Sequence, residues 1–140
     1  MFITDEDYRV IIGDDAIKVI SRASQTTRDN ALSIAIEEVS SYLRPTYDAS
    51  AIFNETGEKR NKLIVMVTAD VALYHMTTSL PQKMGIEIRK ERYDRAIEIL
   101  KGIQSGSLTP DLPVPAPENN YDDSAFSTIY NSEQKLQHNW

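Results

Sequence analysis

Apolar residues recur at helical spacing through most of this chain. From Thr26 or Thr27, either of which can cap a helix, Leu32, Ile36, Val39 and Leu43 follow as i, i+4, i+7 and i+11. Ala35 and Tyr42 lie beside that stripe, and Pro45 ends it, because a proline disfavours the helical conformation in the residue before it. Over 87–104, Tyr93, Ala96, Ile97, Leu100 and Ile103 mark one face of a second long helix. Glu91 and Arg95 are spaced there as a favourable i, i+4 pair, and Gly102 and Gly106 bracket its end. Between these two, Lys62 to Leu80 has no polar face. Its β-branched residues suit a buried strand, but its length without a turn residue predicts a buried central helix. Pro81 and Gly85 then mark a turn.

Two shorter helices precede the long ones. Thr4 can cap the first, with Asp5, Glu6 and Asp7 on its positive end. Gly13 stops it, and Asp14 or Asp15 can cap a second that runs to about Ile20. The segment from Pro45 to Glu58 is mixed, with turn residues around Ile52 and Phe53, and reads as a long ordered loop. The fold expected is all-α: a small helical bundle of about three long and two short helices, followed by an extended Pro-rich C-terminal arm.

Composition divides the chain near Gly106, giving a helical body over 1–106 and an arm over 107–140. The body carries 16 acids and 14 bases; the arm carries 5 acids and 1 base, with four of the six prolines at Pro110, Pro113, Pro115 and Pro117. Such prolines remove backbone donors and fix φ, which favours extended or polyproline II chain. The arm also holds Leu112, Val114, Tyr121, Phe126, Tyr130 and Trp140, more large apolar groups than a solvated linker needs. Aromatic anchors on an extended backbone suit docking to another molecule. Tyr47, Ile52 and Phe53 of the mixed segment join Leu112, Val114, Tyr121, Phe126, Tyr130 and Trp140 as candidate interface residues.

Charge and cysteine content narrow the chemistry. With no cysteine, the 140 residues have no disulfide, thiolate metal site or cysteine nucleophile. A net charge of -6 disfavours sequence-wide attraction to nucleic acid. No window approaches the roughly 20 apolar residues of a membrane span, so no membrane partner is expected. The acidic N-terminus lacks the basic start of a signal peptide, which points to synthesis in the cytoplasm.

No Walker loop, GxGxxG, HExxH or GxSxG motif is present. Catalytic, metal-binding and cofactor residues are therefore expected to be none. A hydrolytic site would need Asp70, His75 and a basic residue to converge, yet Asp70 and His75 are five apart and fall on different helix faces. Asp70 lies among Val67, Ala69, Val71 and Leu73, and a carboxylate buried there needs a partner. Arg89, Arg92 or Arg95 can supply one as a structural ion pair. The acids interleaved with Arg89, Lys90, Arg92 and Arg95 make a solvated face a better reading of that cluster than a phosphate patch. Neighbouring carboxylates such as Glu37 and Glu38 point apart on a helix.

Four strings carry a family resemblance: the opening MFITDEDYRVIIGDDAIKVI, SYLRPTYD at 41–48, NKLIVMVTADVALYHM at 61–76 and ERYDRAIEILKGIQSGSLTPDLP at 91–113. Over about residues 1–113 the chain resembles the Mu-like phage and prophage proteins, Bacteroides-type members above all. These are similar to the head–tail connector (adaptor, head-completion) proteins of tailed phages. The resemblance implies a non-enzymatic virion protein in the phage neck, made in the bacterial host cytoplasm. It implies self-assembly into a closed, dodecameric ring beneath the portal protein, with a stopper or tail-completion protein on the tail side. DNA would pass through the ring without sequence-specific binding. A reading from another class is a small helical regulatory or chaperone-like module that binds one partner through its aromatic tail.

Overall fold

The computed structural model describes residues 1–78 and 85–117. Among these residues the chain is all-helical, with helices α1 (Asp5–Ile12), α2 (Asp14–Ile20), α3 (Gln25–Leu43), α4 (Ala49–Asn54), α5 (Lys62–Thr78) and α6 (Ile86–Ser105). A single 3₁₀ turn, Gly57–Lys59, stands between α4 and α5.

Each helix start has a local chemical cause. At α1 the Thr4 hydroxyl accepts the Asp7 N–H, and the Asp7 carboxylate accepts the Thr4 N–H at 2.7 Å, a reciprocal capping box. Gly13 closes α1 at φ 83°, a conformation that favours glycine, and its N–H bonds the Arg9 carbonyl at 2.8 Å. The same glycine is the N-cap of α2, so neither Asp14 nor Asp15 caps that helix. Both aspartates instead sit in its first turn, where their charge favours the helix dipole. Helix α3 opens earlier than Thr26: Ser24 is the cap, and its Oγ accepts the Thr27 N–H at 3.1 Å.

The segment 45–58 is not the long loop its turn residues imply. Asp48 caps α4 by accepting the Ala51 N–H at 3.0 Å, and Ile52 becomes core. Six residues are too few for a periodicity to show in the sequence. Asn61 opens α5, its Oδ1 accepting the N–H groups of Leu63 at 3.0 Å and Ile64 at 3.2 Å.

Helix α5 is the centre of the bundle. It packs against α3, α6 and α1, and Ile64, Val67, Val71, Leu73 and Met76 are buried in it. The predicted stripes of α3 and α6 supply Leu32, Val39, Leu43, Ala96, Leu100 and Ile103 to the same core. Phe2 and Ile3, ahead of α1, are also buried, and the Phe2 ring meets Phe53 edge-on at 4.7 Å. The expected Glu91–Arg95 pair does not form: both side chains are exposed, and no ion pair among the described residues joins them.

Candidate functional site

The chain beyond α6 does not leave the body at Gly106. Gly106, at φ 83°, turns the chain, and the Leu108 N–H bonds back to the Gly102 carbonyl at 3.0 Å. The Leu108 side chain folds over Gly102, where a Cβ would meet its Cδ1 at 3.0 Å. Asn61 Nδ2 then donates to the Asp111 carbonyl at 3.2 Å, and the Asp48 N–H donates to the Pro113 carbonyl at 2.9 Å. Leu112, between those two bonds, is only 9% exposed. Asn61 and Asp48, which cap α5 and α4, thus also hold the root of the arm. The compositional break at 106 marks the end of the last helix, and the body continues to Pro113. From Val114 to Pro117 the chain is exposed.

This placement redistributes the sequence-derived interface residues. Tyr47, Ile52 and Leu112 are buried within their own chain. Their apolar character serves the core because α4 and the arm root are folded onto it. Phe53 is half-buried against Phe2. Val114 is 66% exposed and remains a candidate contact. Tyr121, Phe126, Tyr130 and Trp140 lie outside the described residues. Val10 on α1, Ile34 on α3 and Ile88 on α6 are further exposed apolar residues outside the expected set. A single apolar residue on a polar helix face is the one signal that could have found them.

Leu112→Ala is expected to lower stability by about 2 kcal/mol, near the lower end for burying a leucine, because this site lies at the edge of the core. It should also speed subtilisin cleavage within 107–113. Thermal melting and limited proteolysis check this; unchanged cleavage would mean that the arm root is held by its backbone bonds alone.

Of the three arginines offered to Asp70, the structure selects Arg92. Its Nε donates to Asp70 Oδ1 at 2.9 Å and its Nη2 to Oδ2 at 3.3 Å, a bidentate contact from α6 to α5. Arg89, one turn earlier, is half-buried, and its Nη1 is a buried donor with no partner. Burial pushes the Arg89 guanidinium below its ordinary pKa, against the attraction of Asp70. Lys90 and Arg95 are exposed, so only half of the basic cluster is a solvated face.

His75 belongs to a different polar group. Glu38 on α3 accepts the Tyr93 hydroxyl through Oε1, and its Oε2 lies 3.1 Å from His75 Nε2. A carboxylate only accepts, so Nε2 carries the proton in this contact. Tyr74 stacks on Tyr93 with ring centroids 4.4 Å apart. Burial, and then the bond to Glu38, push the Tyr93 phenol well above its ordinary pKa, so it stays a neutral donor. Glu37 turns the other way and takes Arg44 at 2.8 and 2.7 Å, as adjacent helix positions require. Among the described contacts, Asp70 thus pairs with Arg92, and His75 with Glu38.

Among the described residues, no group of three or more His, Cys, Asp or Glu side chains is placed to hold a metal, and no helix is long and apolar enough to cross a membrane. Scans against protein-family models, curated proteins and solved structures each find no match to this chain.

Proposed function

We propose that this chain is a structural subunit of a phage neck, a head–tail connector. Copies close into a ring beneath the portal and extend the DNA channel, and a stopper or tail-completion protein docks on the far side. The subunit is made in the host cytoplasm and carries no enzyme activity.

The observation that carries this reading is the way the arm is held. It is tied down through Asp111, Leu112 and Pro113 and then exposed over residues 114–117. A root held by hydrogen bonds and followed by exposed chain over 114–117 suits the start of a segment that reaches a neighbouring protein. The helical body agrees with what the sequence resemblance implies. A closed ring needs two different patches that fit each other. Val10 on α1, Ile34 on α3 and Ile88 on α6, each exposed, are candidates for such patches. The net charge of -6 suits a wall that DNA slides past without adhering.

The test is a truncation after Pro117 in a host that assembles particles, since a cut at Gly106 would also remove the buried Leu112. Heads that fill with DNA but leak it or fail to join tails are expected. Normal particles together with loss of a single regulatory partner would overturn the reading in favour of a small helical binding module.

A further inference from the structure

Glu38 stands where the three long helices meet. It accepts the Tyr93 hydroxyl of α6 on one oxygen, and its other oxygen lies 3.1 Å from His75 Nε2 of α5. Tyr74 stacks on Tyr93, and the His75 ring lies edge-on to both, with centroids 5.7 and 6.1 Å away. Tyr42 is one turn along α3 from Glu38, on the same helix face. All four rings are partly exposed. Glu38 and His75 keep 25% and 27% of their side-chain surface open to solvent. The result is a surface patch of aromatic rings around one carboxylate that solvent still reaches.

The charge of that carboxylate is balanced differently from its more buried counterparts. Asp7 and Asp70 each hold an arginine. Among the described residues, no lysine or arginine pairs with Glu38, whose partners are a phenol and an imidazole. Arg44 is committed to the neighbouring Glu37 through both oxygens. A carboxylate offers about four acceptor positions, so these two contacts leave room for a further donor. Tyrosine faces attract cations as well. Arginine matches both features, because its planar guanidinium stacks on a ring and presents N–H groups to a carboxylate. A lysine ammonium is a compact, strongly hydrated charge and suits the rings less. The net charge of -6 favours a basic partner over a second acidic copy at this patch.

We infer that the patch of Glu38, Tyr42, Tyr74, His75 and Tyr93 is a docking site for an arginine side chain of a basic partner protein. The guanidinium donates to Glu38 and lies against the tyrosine rings. Glu38 thereby gains the permanent counter-charge that Asp7 and Asp70 already have. The site stands independently of the connector reading, because it rests on this patch alone.

The test is NMR titration of the full chain, following the ring protons of Tyr74 and Tyr93. The probes are Nα-acetyl-argininamide and, for comparison, Nα-acetyl-lysinamide. The arginine probe should shift both rings and saturate, with a Kd on the order of 10 mM. The lysine probe should bind roughly threefold more weakly or worse. Glu38→Gln keeps the shape and removes the charge, and should weaken arginine binding roughly fivefold. Tyr74→Leu removes a ring and keeps Glu38, and should weaken it roughly two- to fivefold. Far-UV circular dichroism checks that each variant is folded, and either variant alone decides the matter. No saturable shift with the arginine probe, equal binding of the two probes, or unchanged binding in a folded Glu38→Gln or Tyr74→Leu chain would overturn the proposal. Sedimentation tests the remaining occupant: self-association that Glu38→Gln abolishes would assign the arginine to a second copy and overturn the basic partner.

Discussion

Arg60→Ala is expected to melt about 10 °C below the wild-type chain, a loss of about 3 kcal/mol. Arg60 uses its whole guanidinium to join remote parts of the fold. Its Nη1 donates to the Phe2 carbonyl and to Asp7 Oδ2, each at 2.6 Å, and its Nη2 donates to Asp7 Oδ1 at 3.3 Å. Its Nε donates to the Gly57 carbonyl at 3.0 Å. The Arg60 and Asp7 side chains are 9% and 17% exposed, so water cannot replace the lost partner well. Asp7 also completes the capping box of α1, and Phe2 and Ile3 are core residues. Removing Arg60 therefore loosens the cap and the docking of α1 together. Lysine does not restore it, because one ammonium cannot reproduce the planar fork.

The same pair fixes a pH dependence. Burial raises the Asp7 pKa, but the hydrogen bonds from Arg60 and Thr4 outweigh it, and the folded value lies below the ordinary one. A lowered folded pKa adds stability that is fully present above the unfolded value and is lost as pH falls through the folded value. The wild-type and Arg60→Ala melting curves should therefore draw together below about pH 4. A constant gap down to the acid transition would contradict this assignment.

Asp70→Ala is expected to lose about 2–3 kcal/mol, somewhat less than a fully buried pair. Asp70 is 6% exposed at its side chain and Arg92 is 37% exposed, so solvent screens the arginine side. Without Asp70, both Arg92 and the half-buried Arg89 lose their nearby counter-charge. Arg95→Ala should change stability by less than about 0.5 kcal/mol, since that side chain is exposed. Double-mutant cycles separate the candidates. Coupling is expected between Asp70 and Arg92 and absent between Asp70 and Arg95. The reverse would place the pair wrongly.

Local rules made part of this fold legible. The stripes of α3 and α6 show because each helix is long and buries one face. Helix α5 shows because its apolar run is longer than any strand and holds no turn residue. The choice among Arg89, Arg92 and Arg95 stayed open because it depends on the register of α6 against α5, which no short window encodes. Helix α4 was hidden by its shortness. Asn61 directly before an apolar run is a readable start signal for α5. Arg60 was illegible for another reason: its partners Phe2 and Asp7 stand more than 50 positions away in sequence. The burial of Leu112 is not legible because its proline neighbours describe an extended chain and say nothing of where that chain lies. Candidate contacts built on apolar character alone therefore included Tyr47, Ile52 and Leu112, which the core had already claimed.

Electron microscopy of the purified full chain, alone and mixed with a phage portal protein, tests the connector reading most directly. Closed rings with a central channel, seated on the portal, are the predicted result. A monomer at every concentration, with no density added to the portal, would contradict it.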